Sequence, residues 1–222
     1  IDFDSVFELA VDGGADDEGS ASNLETATKN SPEKLTNIQS VAGSVAGGGL
    51  NSAGIAIAVN YIENNYQAFV IDSVLKAGEN IIIEAKNLAG IESVSAAAGA
   101  AGDTKVGSVS FNLINNRILA YISSSDLTGG NIKLLASDNS TIKSVSGQVN
   151  FSGSQGLGAA AAYNQISNSI KAYVDKNSTL AQPVLKAGNN IEIQSKSAAS
   201  ISTIGASGSL GSGTAGSATV VI

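Results

Sequence analysis

Three stretches, NYIENNYQAFV (residues 60–70), NLINNRILAYI (residues 112–122) and NQISNSIKAYV (residues 164–174), align without a gap at a spacing of 52 residues. Each reads N-x-I-x-N-x-x-x-A-aromatic-aliphatic. The matched columns are Asn60/Asn112/Asn164, Ile62/Ile114/Ile166, Asn64/Asn116/Asn168, Ala68/Ala120/Ala172, Phe69/Tyr121/Tyr173 and Val70/Ile122/Val174.

The same period extends outward in both directions. Downstream, Ile81, Ile132 and Ile191 each precede another Ile by 10 residues, at Ile91, Ile142 and Ile201, with apolar partners Ile83, Leu134 and Ile193 two positions on. Upstream, Ile38 opens IQSVAGSV, which matches IESVSAAA, IKSVSGQV and ISTIGASG in later units. The repeat units are therefore 38–90, 91–141 and 142–200, with a partial fourth at 201–222. The closing ATVVI matches AIAVN of the first unit short of its Asn, the pattern expected of a cut through a longer array. Residues 1–37 do not match the repeat and are expected to form an irregular or capping segment. The stretch DKNSTLAQPV inserts six residues relative to the first unit, and insertions in repeat proteins map to loops.

A repeat of this length indicates a solenoid or a propeller. The fixed Asn positions and the lack of an aromatic blade signature weigh against the propeller. Apolar residues alternate, as in Ile55, Ile57, Val59 and in Ile81, Ile83, Ala85, which is the period of strands half-facing a core. Between the runs, AGEN, GGN and AGNN supply Gly/Asn pairs able to take positive φ at tight corners. The expected fold class is all-β, a parallel β-helix (β-solenoid) with about two coils of ~26 residues per repeat. At ~4.8 Å per coil this gives about seven coils and an axis of about 34 Å. Three coils per repeat would suit a left-handed helix, whose hexapeptide pattern is absent. The Ile and Val columns are expected to fill the core. The Asn columns are expected at corners, where Asn tolerates left-handed backbone and stacked amides hydrogen-bond along a ladder, with a glycan- or ion-binding face as the alternative.

Composition narrows the function classes. Of 222 residues 43% are hydrophobic but only 5% aromatic, and 25 are Gly, so the interior must be thin and filled by small and β-branched side chains. Nineteen acidic against 12 basic residues give a net charge of -7, which disfavours nucleic acid and anionic membrane surfaces as partners. With no Cys and no His, disulfides, thiolate sites, the usual zinc and iron ligand sets and His-based triads are excluded. No apolar run approaches the ~18 residues of a transmembrane helix, so no membrane insertion of this segment is expected.

Polysaccharide-active β-helix enzymes bring together clustered Asp, Ca²⁺ and a basic residue, or two carboxylates about 5 to 10 Å apart. The only Arg, Arg117, is expected in a column whose other members are Asn65 and Ser169. The pairs Glu79 with Glu84 and Asp72 with Asp126 read as solvated side chains that keep exposed strands from aggregating. The acidic run Asp12, Asp16, Asp17, Glu18 matches neither the EF-hand loop nor the Gly-rich calcium repeat and reads as a charged loop. Sequons at Asn139, Asn150 and Asn177 matter only in a eukaryotic secretory pathway. No catalytic, cofactor-binding or metal-binding residue is assigned, no cofactor is expected, and the chain reads as structural rather than enzymatic.

The columns N-x-I-x-N-x-x-x-A-[FY]-[VI], then L-x-A-G-x-N-I-x-I-x-[AS]-K, then I-x-S-V with a Gly/Ala/Ser-rich run, resemble the long repeats of large bacterial exoproteins. These are the filamentous haemagglutinin and fusobacterial-leukotoxin-like proteins exported by type V secretion, whether two-partner or autotransporter. The resemblance covers about residues 37–222. It implies a right-handed β-helical stalk or passenger outside a Gram-negative-type cell, secreted or associated with the outer membrane. The implied role is an adhesin or toxin segment whose partner is a host cell-surface protein or glycan, or a neighbouring bacterium. A polysaccharide-active lyase or hydrolase is the alternative, and host-cell lysis by a longer parent a third reading. No family site residues fall on these columns.

Overall fold

The computed structural model describes residues 25–28, 37–176 and 182–222, and among them it is all-β, without helix. After β1 (Glu25–Thr28), a first rung runs through β2 (Asn37–Gly47), β3 (Asn51–Ile62), β4 (Asn65–Ile71), β5 (Val74–Lys76) and β6 (Asn80–Asn87). The second rung is β7 (Gly90–Ile114), β8 (Arg117–Ser123), β9 (Asp126–Gly129) and β10 (Asn131–Asp138). The third is β11 (Thr141–Ile166), β12 (Ser169–Asp175), β13 (Val184–Ala187) and β14 (Ile191–Ser197), and β15 (Ser200–Gly211) with β16 (Thr214–Val221) begins a fourth.

Successive rungs stack through parallel ladders. The sets β4-β8-β12, β5-β9-β13 and β6-β10-β14 are three-stranded sheets, and the long strands form the largest sheet, in which β7 pairs β2, β3 and β11, and β11 in turn pairs β15 and β16. β1 lies antiparallel on β2. The expected columns are physical neighbours: Asn112 pairs with Asn60 and Asn164, Ile132 with Ile81 and Ile191, Ile142 with Ile91 and Ile201.

The coil count is corrected by this register. Hydrogen-bonded partners lie a whole repeat apart, 52 positions for Asn60 and Asn112, so one repeat is one turn, not two coils of ~26 residues. The physical reason is the length of the strand opening each rung. β7 alone takes 25 residues, nearly half a repeat, where short strands were assumed. Among the described residues the deepest parallel ladder, β2-β7-β11-β15, holds four strands, about 14 Å from first to last at ~4.8 Å spacing, rather than seven coils over about 34 Å. The inserted residues of unit three fall between β12 and β13, whose strands keep their ladders while the pairing offset lengthens from 52 (Ser169 on Arg117) to 58 (Val184 on Asp126). Part of that insertion, with the sequon at Asn177, lies outside the described residues, as does the acidic run Asp12–Glu18.

Each rung has two compartments. β8, β9 and β10, with their stacked neighbours, enclose an aliphatic head in which Ile118, Ile122, Leu127, Ile132 and Leu134 are fully buried. The long strand builds a thin blade by folding back on itself. Ser93 Oγ of its first arm lies 2.9 Å from Ser110 Oγ of its second, and Asn60 Nδ2 donates to Ser40 Oγ at 2.8 Å across the equivalent arms of the first rung. The fold-back occurs at Gly102, where a Cβ would meet Leu50 O at 2.8 Å. Ile62, Ile91, Ile114, Ala89 and Ile142 join head to blade.

The phase of the alternation in the second arm is opposite to the sequence expectation. Ile55 and Val59 are 51% and 56% exposed, whereas Ala56 and Ala58 between them are 3% and 1% exposed. In β6 the expected phase holds, with Ile81, Ile83 and Ala85 buried. The difference is one of room. The head accommodates Ile and Leu, but the arms of the blade approach so closely that only short side chains fit between them. Where one arm carries bulk, the other carries Gly: a Cβ on Gly99 would meet Val106 at 2.6 Å, on Gly158 it would meet Gln148 at 2.2 Å, and on Gly205 it would meet Thr219 at 2.5 Å.

Corner chemistry also differs from expectation. No Gly among the described residues has positive φ, and the left-handed positions are Asp72 (φ 49°) and Ser124 (φ 46°), on the corners between β4 and β5 and between β8 and β9. The glycines of GGN serve close approach instead, since Cβ atoms on Gly129 and Gly130 would sit 3.1 and 3.0 Å from Glu79 O of the rung below.

Candidate binding surface

The Asn columns divide into two roles. Asn60, Asn112 and Asn164 are not corner residues: they lie within strands, buried in the blade, and form an amide ladder. Asn60 Nδ2 donates to Asn112 Oδ1 and Asn112 Nδ2 to Asn164 Oδ1, both at 2.7 Å, and Asn164 Nδ2 ends the ladder on Thr203 Oγ1 at 2.8 Å. Asn64, Asn116 and Asn168 do occupy a corner. There the side-chain oxygen of each rung accepts the backbone N–H of the rung below, Asn64 N to Asn116 Oδ1 at 2.8 Å and Asn116 N to Asn168 Oδ1 at 2.7 Å. Both columns thus hold rungs in register from within and present no open ligand face.

A buried polar node joins head and blade. Asp138 Oδ1 accepts from Asn87 Nδ2 at 2.6 Å and from Ser140 Oγ at 2.7 Å, while Oδ2 accepts from Asn168 Nδ2 at 2.9 Å. Asp138 is the single ionisable residue lining an adjacent depression of about 310 Å³, with Asn168, Ser197 and Ser200. A lone carboxylate whose oxygens are engaged by amide and hydroxyl donors suits cross-bracing and lacks the second group that acid–base hydrolysis requires.

Arg117 is exposed at the start of β8, between Asn65 and Ser169 as expected. Asp126 pairs with Val74 and Val184, and Glu79 and Glu84 point to solvent. Asn150 of the second sequon is fully buried, and Asn139 is exposed. Among the described residues no cluster of three acidic side chains forms, and no helix is long and apolar enough to cross a membrane. Arg117→Ala is expected to leave the urea midpoint within experimental error, because an exposed cation away from the ion pairs Lys133–Glu192 and Lys143–Glu92 contributes at most a few tenths of a kcal/mol (about 0.5).

What the fold offers outward is apolar and repetitive. Phe69, Tyr121 and Tyr173 stack at centroid distances of 5.4 and 5.2 Å, and Phe111 stacks on Tyr163 at 4.8 Å. Both outer faces of the blade carry exposed aliphatic columns, among them Val41, Val94, Val145 and Ile204 on one and Ile55, Val59, Val109 and Val220 on the other. Sequence reasoning missed these faces because it placed their residues inside. The first face is edged by Gln39, Glu92 and Lys143, where Gln39 Nε2 donates to Glu92 at 3.0 Å and Lys143 Nζ at 3.1 Å. The hydrogen bond from Lys143, and then that from Gln39, holds the Glu92 carboxyl below its ordinary value. A depressed carboxyl stabilises the fold at neutral pH and loses that contribution as pH falls through the lowered value; at this exposed site the effect is small and screened by salt.

Comparison of the chain with protein-family models, with curated proteins and with solved structures returned no match.

Proposed function

We propose that the chain is a structural and adhesive segment of a right-handed β-solenoid, carried by a secreted or surface-anchored bacterial adhesin or toxin. Its partner in this reading is a host cell-surface protein or glycan, or a neighbouring bacterial cell. The observation that supports it is the division of labour in the rung: polar ladders are spent inside to fix register, and the outside is left as flat, regularly spaced aliphatic and aromatic columns. Contiguous apolar surface of this kind marks interaction sites. The repeat pattern's resemblance to type V exoproteins supports the extracellular setting. Right-handedness is supported by strand twist, which makes crossover connections between parallel strands of one sheet right-handed in about 98% of cases.

The test is binding of the fluorescently labelled 222-residue chain to cultured host cells, to bacterial cells and to a glycan array. Saturable binding, competed by unlabelled chain and removed by protease or glycosidase treatment of the cells, is expected. Absence of saturable binding to all three overturns the reading.

A further inference from the structure

We propose that the upper edge of the head, the side of β12 facing away from β8 with the depression beside it, binds an extended peptide segment carrying the repeat's own N-x-I-x-N-x-x-x-A-aromatic-aliphatic motif and adds it as a fourth parallel strand. This does not rest on the adhesive reading above, since it concerns a strand edge rather than the outward faces.

Three series of contacts run up the solenoid and stop at β12, whose only ladder neighbour among the described residues is β8. The first is backbone. Asn115 N donates to Ile62 O and Arg117 N to Asn64 O, then Ser167 N to Ile114 O and Ser169 N to Asn116 O, all at 2.8 Å. The carbonyls of Ile166 and Asn168 are the next acceptors. In the second series Asn64 N donates to Asn116 Oδ1 and Asn116 N to Asn168 Oδ1, so Asn168 N is the next donor, for an amide oxygen above it. The third is the buried ladder, in which each amide group spends one proton within its own level and one on the next. Asn60 donates to Ser40 and to Asn112, and Asn112 to Ser110 and to Asn164. Asn164 spends one on Thr203, and the second is the one that a further Asn would receive.

The depression supplies the seat for the side chains between these bonds. Ile201 stacks on Ile142 and Ser197 on Asp138, and both line it together with Ile166 and Asn168. One level down, Ile114 is fully buried in a cluster with Ile91 and Ile142, and Asn168 Nδ2 reaches Asp138 Oδ2 at 2.9 Å. The motif's Ile therefore packs between Ile166 and Ile201, and its second Asn faces Ser197 as Asn168 faces Asp138. Ile201 is 47% exposed where Ile142 beneath it is 1% exposed, and the added strand covers that difference. In strand addition the main-chain bonds supply affinity and the pockets for alternate side chains supply specificity. Here the pockets ask for an Asn, an Ile and an Asn at alternate positions, which an ordinary apolar peptide does not offer.

Fluorescence anisotropy of a labelled peptide of residues 164–174, NQISNSIKAYV, titrated with the 222-residue chain, tests this. Saturable binding in the micromolar range is expected. Ile166→Asp made in the peptide is expected to weaken it at least about tenfold, through loss of the apolar seat, and Asn168→Ala in the peptide at least about fivefold, because the Asn168 N–H of the chain is left without its acceptor. In the chain, Ile201→Asp is expected to remove binding, and Ile55→Lys with Val109→Lys, on the outer face of the blade, to leave it unchanged. Amide shifts in nitrogen-15 spectra of the chain are expected at residues 166–174 and at Ile201, and not on β4 at the opposite edge. Absence of saturable binding, equal binding of the Ile166→Asp peptide, or shifts confined to β4 overturns the proposal. If Ile201→Asp fails to fold, the peptide variants decide, since they leave the chain unaltered.

Discussion

Leu134→Asp is expected to cost more than 4 kcal/mol, enough to remove the cooperative unfolding transition of a marginally stable domain. Leu134 is 0% exposed in the middle strand of its ladder, between Ile83 below and Ile193 above, in a compartment lined by Ile118, Ile122, Leu127 and Ile132. Truncating a leucine there leaves a cavity costing about 2–5 kcal/mol, and the carboxylate adds the penalty of an unpaired charge in an apolar layer or of the protonation that avoids it. The same substitution is expected to cost less at Ile83, 8% exposed on the first rung, and least at Ile193, 48% exposed on β14, whose only ladder neighbour among the described residues is β10. Sequence alone gives the three positions the same environment; single-turn stacking ranks them. Urea titrations followed by circular dichroism measure the order, and equal midpoint losses at Leu134 and Ile193 would contradict the stacking.

The register of this fold was legible because vertical stacking turns sequence identity into contact. Asn60, Asn112 and Asn164 share a letter because they share a ladder, and the aromatic column Phe69/Tyr121/Tyr173 is a stack of rings. The placement of Arg117 between Asn65 and Ser169 followed from the same alignment. The number of turns per repeat was not legible, since two-residue alternation reports that a segment is extended but not how much of a turn it occupies. The fold-back that turns one extended segment into two facing arms depends on a close backbone approach at Gly102, which has no alternation signal.

The inverted blade was misread for a different reason, although the motif contained the correction. Hydrophobicity favours the phase of Ile55, Ile57 and Val59, but Ile62 stands two positions after Asn60, and Ala58 and Ala56 continue the same phase backward. A repeated Asn in phase with a buried Ile column is needed only where amides face one another away from water. Weighing the Asn column above the local aliphatics places Ala56 and Ala58 inside, as observed. Ile55, Val59 and Val109 are then left on the outer face of the second arm.

Asn112→Leu is expected to destabilise the chain by about 3 kcal/mol, although leucine is close in volume and more apolar. Asn112 is fully buried at the centre of the amide ladder, accepting from Asn60 and donating to Asn164 and to Ser110 Oγ at 2.9 Å. Its removal takes from the Asn164 oxygen its ladder donor at a buried position, and an aliphatic γ-branch meets polar atoms on both sides. Asn112→Asp does not rescue the loss: a carboxylate still accepts from Asn60 but sets its oxygens against Asn164 Oδ1, with a charge taken out of water. Gln148 provides the opposite sign. It is buried in the same blade, 3% exposed, yet both of its amide atoms lack a hydrogen-bond partner, so Gln148→Met removes two unsatisfied polar atoms at nearly constant volume and is expected to be neutral or to stabilise by about 1 kcal/mol. Parallel urea titrations of the two variants test whether the interior of the blade is held by paired amides or merely by small size. A blade held by size alone predicts that both substitutions leave the midpoint unchanged, whereas one held by its ladder predicts a large loss for Asn112→Leu and none for Gln148→Met.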